Sequence, residues 1–275
     1  MFKFFLKKNF ADIWDNAFHL LIVNLTYMVI GVGAFFTLFG IFRTGIDEYQ
    51  KYLFMLLAIV VFSVVGHVFV FAEGKNCESI SRYEKAKLGA YFSNIKSCIK
   101  DGMLYGLFVA ILFCVAVVSI PYYFRLWLPV DGTSTNFVGL LLMLIVIWAE
   151  LISLLSLQWF IPIRNIMHNN FKKCLKKSYI IFFDNVGFPI GLAFVNLVNL
   201  LISVFSLGMF PGLSGMLLSA TDALRLRLYK YDWYEVNPGM TKEQRKEVPW
   251  TELLANDRKL LGKRTLKGYL FPWKE

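Results

Sequence analysis

Charge is scarce in this 275-residue chain: Asp, Glu, Lys and Arg make up 17% of it, against about 25% in an ordinary soluble domain. Histidine is scarcer, with three in all. His19, His67 and His168 stand far apart in no HExxH or Cys/His pattern, which argues against a metal centre and implies no cofactor. Four cysteines, Cys77, Cys98, Cys114 and Cys174, form no CxxC pair and read as free structural thiols. No Gly-x-x-x-x-Gly-Lys-Ser/Thr loop is present to cradle a nucleotide phosphate, and no Gly-x-Ser-x-Gly elbow to carry a nucleophile. The chain therefore reads as no enzyme. Lys7 and Lys8 resemble a signal-peptide n-region, but the apolar run from Ala17 is too long for an h-region and no small-residue cleavage site closes it.

What is abundant is apolar surface, at 57% of residues. Six stretches carry it: 17–42, 52–72, 103–123, 137–163, 181–207, and a short one from 210 to about 224. A span of ~20 residues crosses a bilayer, and only a helix satisfies its own backbone there. The expected fold is thus all-α: a polytopic membrane protein of about six transmembrane helices arranged as three hairpins. With the N-terminus in the cytoplasm, every Lys and Arg except Arg43, Lys51 and Arg125 falls on a cytoplasmic segment. Basic residues resist translocation, so this asymmetry sets the orientation: multi-pass in the inner membrane, both termini cytoplasmic. The formal charge of +10 flanks hydrophobic spans, which points to anionic lipid headgroups as the partner rather than nucleic acid.

Residues 1–228 read as the transmembrane domain and 229–275 as a cytoplasmic aromatic and basic tail. Each hairpin is preceded by a segment mixing lysine with aromatic or aliphatic residues, at 2–10, 91–100 and 170–177. Such segments suit the headgroup layer, either as three structural repeats or as the basic collar any entering span acquires. The sixth stretch is short of a full crossing, and Asp222 and Arg225 within it are spaced to neutralise each other. In the tail, Pro249-Trp250-Thr251 reads as a helix start with Thr251 as N-cap, and Leu253, Leu254, Leu260 and Leu261 recur at roughly helical spacing. The chain closes on Tyr269-Leu270-Phe271-Pro272-Trp273. The tail is expected to fold back on the cytoplasmic loops.

Polar side chains inside spans are the places to look for function. Glu150 lies about 13 residues into the fourth stretch, roughly 20 Å along the helix. Asn196 and Asn199, at i, i+3 spacing on the fifth, are its expected partners at similar depth. This set reads either as an intramembrane polar site or as an interhelical clamp worth about 1 kcal/mol. Asn24, His67 and Asp184, with Gln158, lie nearer the cytoplasmic side, and the first three would make a polar cluster if they converge. Asp184 is expected to pair with Lys176 or Lys177. Gly31, Gly33 and Gly40, and Gly187-x-x-x-Gly191, are expected to permit close helix packing.

Three stretches resemble the YesL-like family of bacterial integral membrane proteins, a family without an established biochemical activity. Asn9-Phe10-Ala11-Asp12-Ile13-Trp14 with Leu20-Leu21-Ile22-Val23-Asn24-Leu25 is similar to its opening, and Tyr91-Phe92-Ser93-Asn94-Ile95-Lys96 to its aromatic and basic segment. Phe171-Lys172-Lys173-Cys174-Leu175-Lys176-Lys177-Ser178, with Phe210-Pro211-Gly212-Leu213, is similar to its closing hairpin. The family's proline- and glycine-rich end of helix one is replaced here by 30–36 without proline, and the tail from Tyr229 lies outside the match. The resemblance implies six helices and association with carbohydrate import systems of the ABC type, and supplies no catalytic residues.

Two functional classes follow. The first is a non-catalytic accessory or assembly partner of a membrane transport system, binding transporter subunits. The second is a small autonomous transporter or channel with its polar site at Glu150. They separate on whether Glu150 faces a cavity or a packed helix contact.

Overall fold

The structure, a computed structural model of the chain, describes residues 1–129, 134–241 and 243–262. The described residues form helices and no strand: α1 (Phe2–Asp15), α2 (Ala17–Arg43), α3 (Glu48–Ser81), α4 (Leu88–Trp127), α5 (Phe137–Leu157), α6 (Phe160–Met167), α7 (Phe171–Asp184), α8 (Gly187–Phe205) and α9 (Gly212–Val236). A short 3₁₀ turn (Gln244–Lys246), α10 (Trp250–Leu253) and α11 (Ala255–Leu261) follow. Five helical segments are long and apolar enough to cross a membrane: α2, α3, α4, α5 continued by α6, and α8. Their outer faces expose large apolar side chains such as Phe35, Phe36, Leu57, Val118, Leu144 and Phe194. A contiguous apolar belt of this extent is stable against lipid and not against water.

Hairpin geometry comes from small residues, at positions other than those expected. A Cβ on Gly102 would lie 2.5 Å from Val68 Cα, and one on Gly106 2.7 Å from Val64 Cα. The backbones of α3 and α4 thus touch along Gly102-x-x-x-Gly106, the small-residue contact that lets two helices approach. Gly139 does the same at the turn from α4 to α5, 2.7 Å from Trp127 N. By contrast Gly31 and Gly40 face open space, and Gly187 meets only Asn185. Of the glycines expected at contacts, Gly191 sits against the Phe2 ring and Gly33 against Phe62.

Boundaries shift where amphipathic segments meet spans. Residues 91–100 are not a separate interfacial segment but the opening turns of the 40-residue α4. The fifth span starts at Gly187, because α7, capped by Asn170 Oδ1 accepting from Lys173 N (3.1 Å), takes residues up to Asp184. The fourth stretch is broken at Gln158–Trp159, between α5 and α6.

The least apolar long helix lies at the centre. α9 packs against α1, α2, α3, α6 and α8, and from Gly212 to Arg227 nearly every residue is buried. It runs unbroken through positions 228 and 229 to Val236. The tail then returns: Leu254 is fully buried in the main core, and Leu261 packs with Ala11 and Tyr83. Thr251 lies within α10, whose N-cap is Pro249. Residues 269–273 lie outside the described residues.

Candidate functional site

The break between α5 and α6 organises the site. At the end of α5, the Leu157 carbonyl accepts from Tyr105 Oη on α4 at 3.2 Å, and Tyr105 stacks on Phe160 with ring centroids 4.4 Å apart. Gln158 Nε2 donates to Leu155 O (2.8 Å) and across to Pro189 O on α8 (3.1 Å). These bonds tie α4 and α8 to the break between α5 and α6, and a cavity of about 400 Å³ opens beside it. Its walls are Val109, Leu112, Phe113 and Ala116 of α4, Leu154 and Leu157 of α5, and Leu217 and Ala220 of α9. Glu150, Asn196, His67 and Gln158 supply the polar part of the lining.

Each of the first three polar groups presents an acceptor. Glu150 has no hydrogen bond or ion pair among the described residues, and Asn196 Oδ1 is buried with no partner. His67 Nδ1 lies 2.8 Å from Ser63 O. A carbonyl only accepts, so Nδ1 carries the proton and Nε2 keeps its lone pair. The ring is held edge-on to Tyr105 at 5.1 Å. An apolar cavity with convergent, unpaired acceptors matches a ligand with an apolar body and an N–H or cationic head.

The expected groupings divide differently. Glu150 and Asn196 share the cavity and His67 joins them, but Asn199 turns away: its Nδ2 donates to Ser219 Oγ on α9 at 3.1 Å. Asn24, His67 and Asp184 have separate partner sets and form no cluster. Asn24 instead organises the start of α9. Its Nδ2 donates to Met209 O (2.9 Å) and Pro211 O (2.7 Å), while its Oδ1 accepts from Ser214 N (3.0 Å) and Ser214 Oγ (2.9 Å). Gly212, at φ 63°, has Asn24 where a Cβ would stand.

Asp184 does not pair with Lys176 or Lys177. It accepts from Lys230 Nζ (2.8 Å), Tyr231 Oη (3.0 Å) and Arg227. Burial alone would raise its pKa, and these donors outweigh that and hold the carboxyl below its ordinary value. Nor do Asp222 and Arg225 neutralise each other. Asp222 faces Lys8 Nζ at 3.2 Å, and Arg225 pairs with Asp257 of the tail at 2.9 Å.

A second polar constellation, which sequence reasoning missed, lies on the side of the N- and C-terminal segments. Lys8, fully buried, stands between Asp12 and Asp222 and beneath the Tyr83 ring, 4.2 Å from its centroid. Arg225 lies under the same ring at 5.4 Å. One cation cannot balance two buried carboxylates. Burial and the Asp222 charge push Asp12 up to about 8, while the carboxylates overcome burial and hold Lys8 above its ordinary value. Nearby, the buried His19 and Glu73 pair at 3.0 Å, with Asn76 Nδ2 also donating to Glu73. The Lys8 and Asp12 i, i+4 spacing is visible in the sequence; Asp222, 210 positions further on than Asp12, is not.

No family model, curated protein or solved structure matches the chain.

Proposed function

We propose that this chain is a non-catalytic inner-membrane protein that binds, and moves between leaflets or across the bilayer, a small amphipathic molecule with an apolar body and an amine-like head. The observation that carries this reading is the cavity at Glu150, lined on its apolar walls by the Glu150 carboxyl, by Asn196, whose Oδ1 has no partner, and by His67, whose Nδ1 is bonded to Ser63 O and whose Nε2 is left over. A packed helix contact between α5 and α8 would pair Glu150 with Asn196, and no bond joins them. α9 serves as a sixth crossing. At 25 residues it is about 38 Å long, and its polar residues are tolerable in the bilayer because protein rather than lipid surrounds them. Both termini then lie in the cytoplasm, in accord with the basic segments. Membership of the YesL-like family belongs to the same proposal.

The test is extraction of small molecules from the protein purified out of native membranes, followed by mass spectrometry. Wild type retains an amphipathic amine or similar donor, and Glu150→Gln and the cavity-filling Ala116→Trp lose it. Identical small-molecule content in the three normally inserted proteins contradicts the reading.

One observation favours the accessory role as a second reading. α1, α7, α10 and α11 add helices outside the five apolar ones, and the tail is docked through Leu254 and Asp257. In that reading the same purification recovers permease subunits of another transporter, in fixed proportion and unaffected by Glu150→Gln.

A further inference from the structure

A separate cavity of about 530 Å³ opens between the last turns of α3, the first turns of α4 and the end of α6. The apolar runs 52–72 and 103–123 stop within about a turn of Lys75 and Asp101, so the cavity begins where hydrocarbon gives way to headgroups. Its acidic side chains are already neutralised. Asp101 accepts from Arg164 Nη2 at 2.7 Å and Nε at 3.0 Å, and Glu78 pairs with Arg82 at 2.8 Å. Lys75 is not. Its Nζ donates to Ser97 Oγ at 2.8 Å and meets no carboxylate among the described residues. Asn165 lines the same cavity at 6% exposure, and its Nδ2 has no partner. The site thus holds one uncompensated cation and one buried, idle N–H donor.

We infer that this cavity binds a phosphate anion, brought either by an anionic phospholipid headgroup or as free phosphate. Lys75 supplies the charge and Asn165 a hydrogen bond, the combination that makes charge-assisted bonds to phosphate oxygens strong. The Arg164 guanidinium, with Nε and Nη2 committed to Asp101, sits as a fixed wall beside it. This site does not depend on the Glu150 cavity, which lies deeper and among different residues. Only its lipid source depends on the proposed orientation.

The experiment uses the full chain in detergent, with native mass spectrometry and melting temperature read against three probes: phosphatidylglycerol, phosphatidylcholine and inorganic phosphate. Wild type is expected to retain phosphatidylglycerol in preference to phosphatidylcholine. Lys75→Ala should weaken that retention about tenfold, the loss of one charge-assisted bond. Lys100→Ala, which removes an equal but exposed charge away from the cavity, should leave it unchanged. Asn165→Asp keeps the shape, reverses the polarity, and should abolish anion binding in a protein that still melts cooperatively. Lys75-dependent binding of inorganic phosphate without phosphatidylglycerol retention assigns the site to free phosphate. Equal losses in Lys75→Ala and Lys100→Ala, or binding of neither anion, overturn the inference.

Discussion

Asn24 shows how much a single buried amide does here. Its four hydrogen bonds engage two carbonyls of the turn into α9 and the amide and hydroxyl of Ser214 in the first turn of that helix. Asn24→Ala leaves Met209 O and Ser214 N without a partner, while Pro211 O keeps Gly215 N and Ser214 Oγ keeps Leu20 O, so we expect a loss of about 2–4 kcal/mol in detergent unfolding. Asn24→Asp, which keeps the acceptor and removes the donor, should recover only part. The Lys8, Asp12 and Asp222 group makes a pH prediction. A carboxyl raised to about 8 holds a proton in the folded state that it has shed when unfolded. Its contribution to stability is therefore complete below the ordinary carboxylate value and lost as pH rises, levelling off once pH passes about 8. Asp12→Asn should flatten that slope, read as unfolding midpoints between about pH 5 and about pH 9. A wild-type midpoint rising over the same interval would show that the proton sits elsewhere. Lys8→Met should cost about 3–5 kcal/mol, because two buried carboxyls lose their one cation.

At the scale of the element, contact between α3 and α4 rests on Gly102 and Gly106. A methyl group at Gly106 meets Val64 Cα at 2.7 Å, a backbone atom that cannot swing aside. Gly106→Ala should therefore destabilise by about 1–3 kcal/mol, although alanine is the better helix former. Gly40→Ala, with nothing within 4 Å, should be neutral or stabilising in the same thermal assay. The contrast explains why glycine spacing alone misled. Gly187-x-x-x-Gly191 and Gly102-x-x-x-Gly106 look alike in sequence, and only the partner's backbone decides which one is used. α9 carries the same lesson for hydropathy. It reads in the sequence only as a short and weak sixth stretch, because its neighbours, not lipid, solvate Ser214, Ser219, Thr221 and Asp222. Hydropathy reports what faces lipid, and from Ser214 to Leu224 this helix is almost entirely enclosed by five others.

For the molecule as a whole, the multi-pass helical class was legible because lipid-facing helices must be apolar along their length, and five of them are. The break at Gln158 was not legible, since residues on both sides of it are equally apolar. Of the candidate site, the meeting of Glu150 with Asn196 at one cavity was legible. The rest of its membership was not: His67, Asn199, Asn24 and Asp184 are sorted by helix rotation and by contacts twenty or more residues apart, which one chain's spacing does not encode. Ion pairs expected locally went to distant partners for the same reason. Asp222 finds Lys8 and Arg225 finds Asp257, tying both ends of the chain to α9. The proposed orientation predicts that cysteine placed at Gly45 is labelled by an impermeant maleimide in intact cells, and that cysteine at Glu247 is labelled only after permeabilisation; the reverse pattern would invert the protein.

The central claim is that the Glu150 cavity takes an amphipathic donor. The most direct measurement is photolabelling in native membranes with a photoreactive long-chain primary amine, the modified peptides being mapped by mass spectrometry. The account predicts labelling concentrated on α4 from Tyr105 to Ala116 and on α5 from Glu150 to Leu157, and lost in Glu150→Gln. Labelling spread evenly over the lipid-facing helices, unchanged by that substitution, would contradict it.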